Sequence, residues 1–321
     1  MFENRIDLSQ LHQQTTQIKQ LLQQVIVGQD EMIDLMLTAL LADGHILLEG
    51  MPGLAKTLTA KLFAKSLAVE FARIQFTPDL MPSDVLGTSV FNPKTVDFEF
   101  KSGPIFANIV LIDEINRSPA KTQSALFEAM EEKQVSIDGT TYPLPPPFMV
   151  LATQNPVDQE GTYRLPEAQL DRFLFKIVLD YPSLEEEIGI LNRANTQQLA
   201  NPLESMQAVL QVEQLIEFRQ LTQQVHIEAA LLEYIAKITN QTRNHLSLYV
   251  GASPRASLAL LNASKAWAAL QGRDFVIPED IQRIAPAVLQ HRLLLTPEKE
   301  MEGVSIKDLV LQITHSVEVP R

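Results

Sequence analysis

The sequence has no cysteine, which excludes a disulfide framework, a thiolate metal site and a thiol nucleophile. It also lacks a basic surplus: 26 Lys and Arg against 39 Asp and Glu give a net charge of −13. A protein that tracks a phosphate backbone usually carries a basic stripe, so this balance argues against tight nucleic-acid binding. No apolar run approaches the roughly 18 residues that a membrane span needs. The start, MFENRIDLSQLHQQ, shows neither the apolar segment nor the small-residue cleavage site of a signal peptide. These absences predict a cytoplasmic protein. The six histidines, His12, His45, His226, His245, His291 and His315, have no metal-ligand spacing and read as surface or core residues.

The 321 residues exceed one average domain and predict two. Up to residue 181, short apolar runs alternate with helical patterns. Strand-like runs are His45–Glu49, Ala72–Phe76, Ile109–Ile112, Phe148–Thr153 and Leu174–Val178. Helices are expected up to about Leu41, from about Lys56 to Ala68, and after Ser118-Pro119, with Ser118 as N-cap. Alternation of this kind predicts an α/β domain with a mainly parallel sheet. Residues 1–24 are Gln-rich with Leu8, Leu11, Ile18, Leu21 and Leu22 at near-helical spacing, as in an amphipathic helix lying on the first domain. From 182 to 321 helical periodicity takes over, which predicts a smaller all-helical domain. Ser183 with Glu186 has the form of a capping box. Ser253-Pro254, Pro278-Glu279-Asp280 and Thr296-Pro297 have the form of helix starts. Leu258, Leu260, Leu261 and Trp267 fall on an apolar helical stripe and are expected in the core.

The segment Gly50-Met51-Pro52-Gly53-Leu54-Ala55-Lys56-Thr57 follows a strand and opens a helix, the context that a phosphate-binding loop requires. Small residues let backbone N–H groups wrap phosphates, and the helix N-terminus adds positive potential. Lys56 is placed to reach the β- and γ-phosphates and Thr57 to put its hydroxyl on Mg²⁺. Ala55 stands where a glycine is usual, and its methyl is accommodated if the position keeps negative φ. The run Ile109-Val110-Leu111-Ile112 ends in Asp113-Glu114. At the end of a buried strand, Asp113 is suited to bind Mg²⁺ and Glu114 to polarise an attacking water as general base. Taken singly, a Gly/Pro turn and an acidic pair are common surface features; their order and context give them weight.

GMPGLAKT, LIDEINRSP, ATQNP and LPEAQLDRF, in this order and spacing, resemble the MoxR family of AAA+ ATPases over residues of about 20–315. The resemblance implies an α/β P-loop NTPase domain with a parallel sheet, followed by a lid domain, and it implies ATP and Mg²⁺ as ligands. Gly50, Pro52, Gly53, Leu54, Ala55, Lys56, Thr57 and Leu58 would then hold the nucleotide with Asp113, and Thr57 and Asp113 the metal. No Asn-Lys-x-Asp base reader for GTP is found. Gly28, in Val27-Gly28-Gln29, resembles the segment packed near adenine. Asn155 matches the sensor that places the water, although an Asn-Pro turn alone would explain it. Arg172 matches an arginine finger acting in trans, with Arg164 as the competing candidate and a surface pair with Asp171 or Glu167 as the bland alternative. Arg255, after Ser253-Pro254, resembles the second sensor, acting on its own or a neighbour's nucleotide. Thr88–Phe106, with a turn at Asn92-Pro93-Lys94, resembles the helix-2 insert. Gln134–Pro147, with a turn at Asp138-Gly139, resembles the hairpin before sensor 1. The family implies a homo-oligomeric ring, expected to be a hexamer. It also implies a chaperone-like action on a protein partner, expected to carry a von Willebrand factor A domain. A nucleic-acid motor, hinted at only by Lys94 and Lys101 on the first hairpin, and a nucleotide-gated scaffold are the competing functions.

Overall fold

Strand β1 (His45–Gly50) is buried on both faces over its first four residues, so its apolar run is continuous rather than alternating. That pattern belongs to the centre of a parallel sheet covered on both sides. The computed structural model describes residues 6–156, 163, 165–196, 203 and 206–320. In it β1 lies between β8 (Met149–Gln154) and β9 (Phe173–Leu179). Beyond β8 follow β5 (Ile109–Asp113) and, at the edge, β2 (Phe71–Gln75), so the strand order is β2-β5-β8-β1-β9. All four pairings are parallel. The five apolar runs read from sequence are these five strands.

Alternate side chains divide between two cores. Ile46 and Leu48 face α2 (Asp30–Leu41) and α3 (Lys56–Ser66), whereas Leu47, Val110, Ile112 and Val150 face Leu126, Phe127 and Met130 of α5 (Ala120–Glu132). Between β2 and β5 come α4 (Pro82–Leu86) and an antiparallel hairpin, β3 (Gly87–Asn92) with β4 (Asp97–Ser102). After α5 a second hairpin pairs β6 (Gln134–Ile137) with β7 (Thr140–Pro143). Asp138 and Gly139 both have positive φ at its turn, as a two-residue I′ hairpin demands. Phe100 of β4 stacks on Tyr142 of β7, with centroids 4.1 Å apart and planes 21° from parallel, which ties the hairpins together. A short α6 (Glu167–Leu170) precedes β9.

Past β9 the chain is helical: α7 (Leu184–Thr196), α8 (Val212–Gln223), α9 (Ala229–Arg243), α10 (Pro254–Leu270), α11 (Pro278–Leu289), α12 (Pro297–Met301) and α13 (Ile306–Ser316). The capping box at α7 is formed: Ser183 N–H donates to Glu186 Oε2 at 2.7 Å and Glu186 N–H to Ser183 Oγ at 3.3 Å. Helix α1 (Ser9–Gln23) does more than coat the first domain. Its buried Leu11, Ile18 and Leu22 join a core that contains both α2 and α10, and His12 Nδ1 lies 2.8 Å from Leu270 O. The same core runs from the sheet into the helices, and Arg219 reinforces it by donating to Leu40 O and Asp43 Oδ1 at 2.8 and 2.7 Å.

Three expectations need correction. The C-terminal part carries a small antiparallel ribbon, β10 (Leu248–Val250) with β11 (Leu294–Leu295). Strands of two and three residues are too short to show a period in sequence. Helix α5 starts one residue late, with Pro119 as N-cap, and Ser118 Oγ, buried, makes no bond. Leu258 is 59% exposed although Leu260 is fully buried, because Leu258 lies one turn from Arg255 on the open face of α10. Among the described residues, no helix is long and apolar enough to cross a membrane.

Candidate nucleotide site

Three strand ends and one loop meet at the same edge of the sheet. From β1 the chain turns through residues 51–55 into α3. Gly53 has φ +91°, and a Cβ added there would meet nothing within 4 Å. The loop therefore leaves open space beside its backbone, where another group can approach the N–H groups. Ala55, however, has φ 56° and ψ 15°, not the negative φ expected for it. It keeps the left-handed turn that a glycine would adopt without strain, and the loop's shape overrides the residue's own preference. Lys56 opens α3 and folds back so that Nζ donates to Gly50 O at 2.6 Å. Burial pushes its ammonium below the ordinary pKa, while the Asp113, Glu114 and Glu49 carboxylates oppose that shift.

The acids come from the next strands. Asp113, buried at the end of β5, takes Arg73 Nε at 2.6 Å on Oδ2 and the Thr153 hydroxyl at 3.3 Å on Oδ1. Glu114 also has left-handed backbone, φ 58° and ψ 52°, which turns its side chain out of the strand. Its N–H donates to Thr153 Oγ1 at 3.0 Å, and its carboxylate receives Gln75 Nε2 at 3.0 Å and pairs with Arg117 at 3.1 Å. Parallel register makes this possible: Gln75 pairs with Asp113, and Ile112 with Ala152, one residue before Thr153.

One cavity of about 420 Å³ is lined by Pro52 through Leu58, Arg73, Gln75, Asp113, Glu114, Thr153 and Asn155. The fold thus brings together Pro52, Gly53, Leu54, Ala55, Lys56, Thr57, Leu58, Asp113, Glu114 and Asn155, with Gly50 held to Lys56. Arg73, Gln75 and Thr153 join them unforeseen. They are polar residues at strand ends, and only the pairing of β2 and β8 with β5 reveals what they face. The residues fit a nucleotide with Mg²⁺. Backbone N–H groups, a lysine and open space beside Gly53 suit phosphates. The Thr57 hydroxyl and Asp113 carboxylate are hard oxygen donors of the kind that Mg²⁺ takes beside phosphate oxygens and water. No cluster of three or more His, Asp or Glu side chains competes for a metal among the described residues.

Asn155 also lines a second cavity, about 640 Å³, whose wall takes residues from both the sheet and the helical part, among them Glu49, Asn116, Lys176, His291 and Arg292. Its wall is therefore shared between the loop site and the helical domain.

Three of the sequence-identified residues lie elsewhere. Gly28 has φ +72°, and a Cβ there would sit 2.5 Å from Glu186 Cδ, so this segment is pressed against the start of α7. Arg172 and Arg255 line a third cavity, about 330 Å³, whose lining shares no residue with the first. Arg172 pairs with Glu131 rather than with Asp171 or Glu167, and donates to Phe127 O at 3.0 Å and Gln169 Oε1 at 2.7 Å. Arg255 Nη2 reaches the other oxygen of Glu131 at 3.0 Å. Two guanidinium groups, one from each part of the chain, thus share one carboxylate away from the 51–55 loop of their own chain. Arg164 lies outside the described residues.

Comparison with known proteins gives this arrangement its relatives. Residues 45–175 match the ATPase family associated with various cellular activities (AAA), and residues 240–313 match the AAA lid domain. The Bacillus subtilis protein YeaC is 51% identical over 296 residues, 92% of each chain. Chaperone MoxR1 of Mycobacterium tuberculosis is 44% identical over 306 residues, 92% of this chain and 80% of the relative. A Cytophaga hutchinsonii protein of known crystal structure superposes with a TM-score of 0.89 at 44% identity, covering 97% of this chain and 96% of that one. An AAA core with a parallel five-stranded sheet, an AAA lid after it and kinship to MoxR1 along nearly the whole length place the chain in the MoxR family of AAA+ ATPases.

Proposed function

We propose that the protein is a Mg²⁺-dependent ATPase that works as a ring, expected to be hexameric, and remodels or assembles a partner protein complex. The partner expected from the family resemblance carries a von Willebrand factor A domain. The observation that carries the catalytic half is the single cavity in which Lys56, Thr57, Asp113, Glu114 and Asn155 converge. In this reading Lys56 binds the β- and γ-phosphates, Asp113 and Thr57 hold the metal, and Glu114 takes a proton from the attacking water that Asn155 helps to place. Mg²⁺, when bound, neutralises charge on the phosphoryl oxygens. Gln75 and Arg117 both engage Glu114 Oε2, so in this reading the water is taken by the other carboxylate oxygen.

The separation of Arg172 and Arg255 from that cavity supports the second half. A guanidinium that cannot serve its own nucleotide is useful where a neighbour's γ-phosphate is brought to it, to stabilise transition-state charge. The test is ATPase rate against protein concentration with Mg²⁺, with mass measured in the same samples. Specific activity rising as a larger species appears is the expected result. A flat rate from a monomer would remove the shared site and leave a nucleotide-binding scaffold.

A further inference from the structure

Arg292 follows α11 and is the most deeply buried arginine of the lid's ion pairs, its side chain only 4% exposed. Four of its five hydrogen bonds to oxygen go to the chain on either side of Arg172. Nε donates to Asp171 Oδ1 at 2.6 Å, Nη2 to Asp171 O at 3.1 Å and Phe173 O at 2.7 Å, and Nη1 to Leu174 O at 3.1 Å. A further bond to Val288 O ties the same group to its own helix. A guanidinium taken out of water must have its donors met, and here the segment 171–174 supplies four of the five oxygen acceptors in its present course. Residue 172 lies inside that grip without being touched by it. Asp171 is approached from the lid a second time: Ser253 Oγ, at the N-cap of α10, lies 3.5 Å from Asp171 Oδ2. Two residues on, α10 carries Arg255.

We propose that Arg292 is a positioning residue for Arg172: it holds the 171–174 backbone to the lid, so that lid placement sets where the Arg172 guanidinium is presented to a neighbouring subunit. This rests on the reading of Arg172 as a group acting in trans. The clamp explains why a lid residue should spend a buried charge on four acceptors of the core. It gives the lid a rigid connection to the finger that bypasses the phosphate loop. A lysine keeps the charge but cannot reproduce a planar fork of donors aimed at four oxygens, so Arg292→Lys loosens the segment while leaving the protomer's own Lys56, Asp113 and Glu114 intact.

The experiment mixes full-length Arg292→Lys protomers with wild type at increasing fractions, beside Arg172→Ala mixtures and the double variant. The expected result for Arg292→Lys alone is a fall in kcat of tenfold or more with KM for ATP within twofold of wild type. Mixtures should lose more activity than dilution explains, and the double variant should be no worse than Arg172→Ala. A residue that merely staples the lid would reduce the folded fraction and lose activity in proportion to its share. Proportional loss for Arg292→Lys beside dominant loss for Arg172→Ala overturns the positioning role alone, as does a double variant whose losses multiply. Proportional loss for Arg172→Ala overturns the trans reading and the inference with it. If Arg292→Lys does not fold, Asp171→Asn, which removes the carboxylate and keeps its volume, is judged by the same outcomes.

Discussion

Ala55 and Glu114 both adopt left-handed backbone at non-glycine positions, a conformation costing roughly 1–2 kcal/mol per residue. Strain of this kind persists where surrounding structure over-determines it. At Ala55 the determinant is the loop that must leave β1 and enter α3 around open space. At Glu114 it is the need to leave β5 while Thr153 accepts the backbone N–H. The carboxylate of Glu114 is thereby aimed across the cavity rather than along the strand. Its proposed work as a base is specific to an ionised oxygen. Glu114→Gln, nearly isosteric, is expected to keep ATP binding within a few-fold and to lower turnover by about 100-fold or more. Nucleotide-binding titration and phosphate release measured on the same preparation check this, and unchanged hydrolysis would remove Glu114 from the role.

Elements act here through their ends. The C-terminal tips of β1, β5 and β8 supply the loop, the acids and Thr153–Asn155, as the carboxyl ends of a parallel sheet generally do for ligands. At the opposite extreme of the motif order, Val27-Gly28-Gln29 joins α1 to α2 and packs against α7, where the Glu186 carboxylate already accepts the Ser183 N–H. That carboxylate cannot swing aside without opening the cap of α7. Gly28→Ala is therefore expected to lower stability by about 2 kcal/mol, combining the left-handed backbone cost with displacement of Glu186. Urea unfolding read by circular dichroism gives the number, and a variant as stable as wild type would show that the segment yields freely.

At the scale of the whole molecule, two buried histidines tie the sheet to what surrounds it. His45 Nδ1 accepts the Val150 N–H at 3.0 Å while Nε2 lies 3.2 Å from Met130 O, an arrangement that fits only the neutral ring with its proton on Nε2. Burial lowers its pKa to about 4. His291 faces Phe173 O at 2.9 Å, and burial with Arg292 alongside lowers its pKa well below the ordinary value. Below about pH 6.5 the unfolded chain binds protons that the folded chain refuses. Stability is therefore complete above that pH and falls as pH drops toward 4. For His45 the total loss by pH 5, relative to well above pH 6.5, is about 2 kcal/mol, the slope approaching about 1.36 kcal/mol per unit between its two pKa values. Urea midpoints across that window, for wild type and His45→Gln, test it: the variant should show the shallower slope, and equal slopes would mean that His45 does not carry the proton.

The sequence by itself determined the five strands of the sheet, the inner β1, β5 and β8 as apolar runs buried on both faces and the edge strands β2 and β9 as partly exposed ones, and it marked the candidate phosphate loop and acid pair, because their residue types stand next to one another in the chain. It also determined the two hairpins through Asn-Pro and Asp-Gly turn chemistry. Tertiary structure alone decided what depends on register and on contacts between distant segments. Arg73 and Gln75 became site residues only when β2 paired with β5, and Leu258 turned outward because α10 presents another face to the core. The sharing of Glu131 by Arg172 and Arg255 joins positions from two parts of the chain, and no local period or motif encodes a carboxylate that lies 41 residues from one partner and 124 from the other. Local rules reach as far as a turn or a strand; the placement of charge across the fold is set by how those elements pack.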